Sequence, residues 1–193
     1  MIRSIIQYGK LSREQKYEVV DIFLEGFGHF MTFTKDRNAL RTLFFRALNP
    51  VYTYAMVENE VVIGILGIGT NKVRPIKFDL ELCIELFGGM KGKIMCKQLN
   101  GIFQSPVVKN DRDLYIDVLA TAKPFRGKGV ATRLLEHSFN LQGYTDYYIE
   151  VMSKNKNAKR LYEKKGFVEY KKKRVSPLAL KGYGYPILMK KGR

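Results

Sequence analysis

The sequence predicts a mixed α/β fold, a mostly antiparallel sheet with a central parallel pair of strands and flanking helices. Three observations predict it. Two β-rich runs around Glu58-Asn59-Glu60 read as a hairpin, which makes the first half antiparallel. The second half alternates strand, helix, strand and helix, and such a series joins neighbouring parallel strands through crossover helices. The run YGYPILMKK then supplies a terminal strand.

In chain order, a short strand near Ile2 to Ile6 leads to a helix announced by Ser12 with Gln15 three residues on, the spacing of a capping box. Val20, Phe23, Leu24 and Phe27 then recur at helical spacing. Leu40, Leu43, Phe44 and Ala47 mark a second amphipathic helix after Thr34. From Val51 the run VYTYAMVENEVVIGILGIGT forms the hairpin. Within residues 76 to 104, FDLELCIELF reads as helix, Gly88, Gly89 and Gly92 break it, and KIMCKQLNGIF resumes it, as one or two helices with a mobile joint. A strand at 114–121, a glycine-rich turn, a helix at 128–142, the strand YTDYYIEVM and a helix from Asn155 follow.

The 193 residues suit one domain over 1–193, since a chain of this length buries most of its unfolded surface without disulfides or structural metal. No repeat or linker divides it. With 46% hydrophobic and 27% charged residues the composition is that of a globular protein. The N-terminus lacks a signal-peptide core and no run approaches a membrane span, so a cytoplasmic location without membrane contact is expected. Cys83 and Cys96 form no CxxC pair, and His29 and His137 lie far from both, which argues against zinc and against a disulfide framework. The formal charge of +16 favours capture of an anion, whether nucleic acid, an acidic substrate or a polyphosphate. Runs such as Lys171 to Arg174 are ordinarily solvated, so charge alone does not choose among these.

Arg126-Gly127-Lys128-Gly129-Val130-Ala131 lies between a strand and a helix. Its glycines let the backbone turn tightly, and the unpaired amides at the helix start, with the positive dipole end, form a cradle for pyrophosphate. A Walker loop needs a GK[ST] ending, which is missing. A dinucleotide fingerprint using Gly127 and Gly129, with Glu150 for a ribose, lacks its third glycine and a parallel first half.

A third reading reaches past the turn. Arg126-x-x-Gly129-x-Ala131 resembles the [QR]-x-x-G-x-[GA] acetyl-CoA motif of the GCN5-related N-acetyltransferase (GNAT) family, in the same strand-turn-helix setting. Further on, Asn155-x-x-Ala158-x-x-Leu161-Tyr162-x-x-x-Gly166-Phe167 resembles that family's second signature. The likeness spans roughly residues 114 to 170. It departs where the family often has proline three residues before the arginine; here Lys123 precedes Pro124.

The resemblance implies the GNAT fold, with acetyl-CoA as acyl donor and no metal. Arg126, Gly127, Lys128, Gly129, Val130 and Ala131 would cradle pyrophosphate, and backbone groups of Leu119, Ala120 and Thr121 would contact the pantetheine. Asn155 would bond the pantetheine arm, Ala158 would leave room for it, and Tyr162 would lie near the thioester sulfur. On a helix those three fall on one stripe.

Acyl transfer passes through an oxyanion and expels a thiolate, which an acid should meet. A phenol of pKa about 10 is neutral at pH 7 and can protonate it, which makes Tyr162 the candidate acid. An ammonium acceptor must first lose a proton. Glu150 and Asp117, carboxylates within neighbouring parallel strands where such residues are depleted, are the candidate bases, singly or together. His137, Cys83 and Cys96 read as structural residues. Tyr183, Tyr185 and Pro186, before the terminal strand, read equally as acceptor lining or as core.

The expected activity is direct transfer of acetyl from acetyl-CoA to a primary amine of a small molecule or peptide. Two alternatives stay open: an acyl-CoA-binding module without turnover and, less favoured, a basic nucleic-acid-associated protein. Nothing in the sequence names the acceptor or chooses between monomer and homodimer.

Overall fold

The computed structural model describes residues 3–172 and 182–192. Ile2 of the first strand and residues 173 and 174 of the basic run lie outside the described residues. Among those described, seven strands form one sheet in the order β1-β2-β3-β4-β5-β7-β6. They are β1 (Arg3–Gln7), β2 (Thr53–Glu58), β3 (Val61–Gly69), β4 (Asp113–Thr121), β5 (Asp146–Met152), β6 (Val168–Lys172) and β7 (Pro186–Gly192). Only β4 and β5 run parallel; every other neighbouring pair is antiparallel. The mixed sheet with one central parallel pair is as the sequence predicts.

Local chemistry starts and stops the elements. Helix α1 (Arg13–Phe27) opens on a full capping box, with Ser12 Oγ accepting from the Gln15 amide at 3.2 Å and Gln15 Oε1 from the Ser12 amide at 3.1 Å. Such a cap stabilises a helix by about 1 kcal/mol. Asp36 caps α2 (Arg37–Ala47) through the Asn38 and Ala39 amides. The β2–β3 hairpin turns on Asn59 and Glu60, both at positive φ (47° and 66°), the backbone that matches the twist of the two strands.

The region around 76–104 resolves into two helices, α3 (Leu80–Phe87) and α4 (Gly89–Phe103), jointed at Gly88, whose φ is +85°. Gly92 does not break the helix. It lies inside α4, where an added Cβ would stand 2.4 Å from the Cys83 carbonyl oxygen, so its glycine is what lets α4 close on α3. Helix α5 (Val130–Phe139) starts later and ends earlier than 128–142, because Gly129 is left-handed and serves as its N-cap. Helix α6 (Lys156–Lys164) completes the set. Strand β6 was not legible: it is an exposed edge strand carrying Glu169, Lys171 and Lys172, without buried alternation.

Helices cover both faces of the sheet. On one face α1, α2, α3 and α4 enclose Val19, Phe23, Leu43, Phe44, Phe78 and Leu82. On the other, α5 and α6 enclose Leu134, Leu135, Tyr147, Ile149, Tyr162 and Phe167. Among the described residues, no helix is long and apolar enough to cross a membrane.

Candidate active site

The parallel pair does not run its full length. β4 and β5 are in register from Asp113 with Asp146 to Ile116 with Ile149, and there the pairing stops. The next residue on each strand is a carboxylate, Asp117 on β4 and Glu150 on β5. Beyond them β4 stays paired to β3 on its other side, Leu66 with Leu119, Ile65 with Ala120 and Gly64 with Thr121. The β5-facing edge of Leu119, Ala120 and Thr121 therefore has no strand against it, although backbone groups there carry full hydrogen-bonding capacity.

A bulge marks the same point. β3 pairs Gly67 with Val118 but Ile68 with Ile116, so Asp117 is the extra residue. Such an insertion bends a strand and re-aims its side chains. Accordingly Ile116 packs in the α5–α6 core while Val118, two residues on, packs in the opposite core.

The parted strands open a cleft of about 530 Å³. Its walls bring together Asp117, Leu119, Ala120, Thr121 and Arg126 with Glu150, Asn155, Ala158 and Tyr162. Glu25, Phe27, His29 and Phe30 close it from the end of α1. Gly127, Lys128, Gly129, Val130 and Ala131 form the turn and first helical residues next to Arg126. Val130 is buried in the core, so its side chain is not offered to a ligand.

That turn owes its shape to two left-handed glycines, Gly127 at +75° and Gly129 at +79°, with open space where a Cβ would stand at each. No side chain caps α5, which leaves its first amides without an internal acceptor. Lys123, Pro124 and Phe125, where the sequence departs from the GNAT pattern, make a single 3₁₀ turn before Arg126. Gly64 on β3 seats the helix: an added Cβ would stand 2.5 Å from Val130 Cγ1. Arg3 ties the turn down, donating to the Lys128 carbonyl at 3.0 Å and to Glu58 at 2.6 Å. Arg126 donates to Glu25 Oε1 at 2.9 Å and to the Thr121 carbonyl at 3.3 Å.

Asn155 is not part of the helical stripe but the N-cap of α6, its Oδ1 accepting from the Ala158 amide at 3.2 Å. The cap uses the side-chain oxygen and leaves the amide nitrogen as a donor at the cleft wall. Tyr162 is 6% exposed, and burial pushes its phenol well above the ordinary value of 10. It is a neutral O–H donor across the physiological range.

The two carboxylates differ in their surroundings. Asp117 is held by Arg74, whose Nε donates to Oδ2 at 2.7 Å and Nη2 to Oδ1 at 2.9 Å. Arg74 Nη1 also donates to the Ser105 carbonyl, and its guanidinium lies 5.3 Å from the Tyr115 ring centre. Burial holds the Asp117 carboxyl above the usual carboxylate range despite Arg74, and the charge of Glu150 adds to the rise. Glu150 is half-buried and lines the cleft.

Of the remaining candidates, His137 packs edge-on to Tyr54 at 4.9 Å outside the cleft lining. Cys83 and Cys96 are buried between α3 and α4, where burial and the neighbouring Cys96 push the Cys83 thiol up to about 12. Tyr183 lies 4.9 Å from both His29 and Phe30, tilted to the first ring and edge-on to the second, behind those two cleft residues, whereas Tyr185 packs on the α5–α6 core. Among the described residues no cluster could hold a metal ion. Sequence reasoning misses Arg74, which holds Asp117, and Glu25, His29 and Phe30, which line the cleft, because each comes from a segment that carries no motif.

Residues 92–169 match the family described as Acetyltransferase (GNAT) domain. That stretch of the chain is similar to a GNAT domain. The match runs from α4 into β6 and so contains β4, the turn, α5, β5 and α6. A curated relative, N-alpha-acetyltransferase 30 of Schizosaccharomyces pombe, is 31% identical over 84 residues, 42% of this chain. That match spans about half the relative's own length, 52%. Solved structures share the GNAT fold over nearly the whole chain. An N-acetyltransferase from Staphylococcus aureus Mu50 aligns at TM-score 0.66 and 17% identity, covering 97% of this chain and 100% of its own. Ard1 from Thermoplasma volcanium aligns at 0.58 and 16%, covering 100% and 98%. The NatC complex bound to Gag peptide and CoA contains a chain aligning at 0.58 and 16%, covering 100% and 99%.

Proposed function

We propose that this chain transfers the acetyl group of acetyl-CoA directly to a primary amine. The observation that carries the proposal is the parting of β4 from β5 at Asp117 and Glu150, which leaves an unpaired β4 edge leading to the uncapped start of α5. An extended amide-bearing arm can pair with such an edge, and a pyrophosphate suits such a helix start. The neighbouring structure of the NatC complex, described as bound to CoA, supports the same ligand here.

In this reading Arg126 and the amides from Gly127 to Ala131 receive the pyrophosphate, and the edge of Leu119, Ala120 and Thr121 pairs with the pantetheine. The amide nitrogen of Asn155 donates to that arm, and Ala158 keeps the wall low. An ammonium acceptor entering beside Glu25 and Glu150 gives its proton to Glu150, directly or through water. The amine then attacks the thioester carbon, and a β4 backbone amide stabilises the oxyanion. Collapse breaks the carbon–sulfur bond. The CoA thiolate takes the proton of the Tyr162 hydroxyl, and the surplus proton on the attacking nitrogen returns through water to the tyrosinate. Glu150 releases its proton to solvent, and the product is the neutral amide. Asp117, with both oxygens bonded by Arg74, serves as a fixed charge next to Glu150 rather than as the group that moves the proton.

The test has two stages. Acetyl-CoA at about a hundred times its dissociation constant should stabilise the chain by about 2.7 kcal/mol, about 5–10 °C in melting temperature at this size. An unchanged melting temperature would sink the proposal. Release of free CoA thiol against a panel of primary amines then tests turnover, and binding without release under every amine would make the chain an acyl-CoA-binding module instead.

A further inference from the structure

Arg126 sits at the turn that the proposed reading gives to pyrophosphate, yet its guanidinium already holds an anion. Its partner, Glu25, stands two residues before the end of α1, remote in sequence by 101 residues. Helix α1 and strand β4 meet closely here: a Cβ added to Gly26 would be 3.5 Å from Ala120 Cβ. Both Glu25 and Arg126 line the cleft.

We propose that Glu25 is a latch on the cofactor site, a carboxylate that occupies Arg126 in the free protein and that the cofactor's pyrophosphate must displace in order to seat. The proposal rests on the acetyl-CoA reading above. Three features carry it. The bond to be exchanged is of one kind on both sides, a guanidinium N–H to an anionic oxygen, and with Glu25 it is 2.9 Å long. The pair is exposed, with side-chain accessibilities of 55% for Arg126 and 38% for Glu25, so it opens by side-chain rotation alone. An exposed pair of this kind adds little to folding, so a role as a staple between α1 and the turn gives it no strong purpose.

The remaining contact of Arg126 explains how exchange stays orderly. Nε keeps its bond to the Thr121 carbonyl at 3.3 Å, which holds the guanidinium at the cleft while Nη2 changes partner. Displaced Glu25 remains on the cleft wall. Glu25 therefore subtracts from cofactor affinity whatever the pair is worth in the free protein.

The test is a double-mutant cycle read by calorimetric titration of CoA into the full chain at one ionic strength, with melting temperatures confirming that each variant is folded. The four proteins are the unmodified chain, Glu25→Gln, Arg126→Met and the double variant. Glu25→Gln should bind CoA about two- to fivefold tighter, the range an exposed ion pair supplies. Arg126→Met should bind more weakly, and adding Glu25→Gln to it should change nothing further, since the latch then has nothing to hold. Absence of tightening in Glu25→Gln overturns the latch. Equal tightening in the Arg126→Met background also overturns it, because the effect would then be mere removal of a negative charge near a polyanion. Failure of the unmodified chain to bind CoA overturns the cofactor reading itself, and is seen before any variant is compared.

Discussion

Arg74 grips Asp117 by two parallel hydrogen bonds, 2.7 and 2.9 Å, at the point where β4 bulges and leaves β5. The side chains are 8% and 11% exposed, so water screens the pair little. Breaking one half leaves a charge buried alone, a loss of about 3–5 kcal/mol, whereas replacing both halves by apolar residues can be nearly neutral. Arg74→Met should therefore destabilise the chain by about 3–5 kcal/mol in urea denaturation, and Arg74→Met with Asp117→Leu by distinctly less. Additive losses would show that the pair does not act as a unit.

Glu150 carries the proton-accepting role in the proposed mechanism. Glu150→Gln keeps the shape and removes the base. We expect kcat to fall by about 10²- to 10⁴-fold at neutral pH, with CoA affinity unchanged and partial recovery as pH rises and the free amine forms unaided. Full turnover in this variant would move the proton to a water chain or to Asp117.

Tyr162→Phe removes the hydroxyl but keeps the ring that packs 6.1 Å from Phe167. A fall in kcat on the order of 10²-fold or more, with the melting temperature little changed, is the expected result. A variant as fast as the original would remove the phenol from the mechanism.

Burial raises the phenols of Tyr8, Tyr115 and Tyr162 above the ordinary value of 10. In the unfolded chain they ionise near pH 10, while the folded chain keeps them protonated. Unfolding then releases protons, so the stability they contribute is intact below about pH 10 and is lost as pH rises through the folded values. Chemical denaturation at pH 8 and pH 11, with tyrosinate absorbance as the titration signal, should show a clear loss at the higher pH. Equal stability at both would contradict the assignment.

Gly64 links packing to the candidate site. A Cβ there would meet Val130 Cγ1 at 2.5 Å, the Ala120 carbonyl at 3.1 Å and Leu134 Cδ1 at 3.1 Å. Gly64→Ala should cost about 1–3 kcal/mol by overpacking. It should also weaken CoA binding, because the start of α5 must move off β3. A destabilised variant with unchanged affinity would separate the packing of α5 from the proposed cradle.

Much of the fold was legible because its signals are local. The Ser12–Gln15 box, the hairpin turn at Asn59-Glu60 and the two-glycine turn before α5 each rest on contacts within a few residues. Errors fell where tertiary packing overrides the local signal. Gly92 was read as a breaker, yet it is a helical residue kept small by α3. β6 was missed because an exposed edge strand buries too little to leave an alternating pattern.

By itself the sequence determined the strand-turn-helix from β4 to α5, a helix beginning near Asn155 and the presence of carboxylates on two neighbouring strands. All follow from backbone preferences and spacing, which act along the chain. Only the tertiary structure decided that β4 bulges at Asp117 and parts from β5, that Arg74 fixes that carboxylate from 43 residues away, and that Glu25 holds Arg126 across 101. Electrostatic and packing energies depend on distance in space and on burial. Neither is written in the spacing of residues that meet only once the sheet has closed around them.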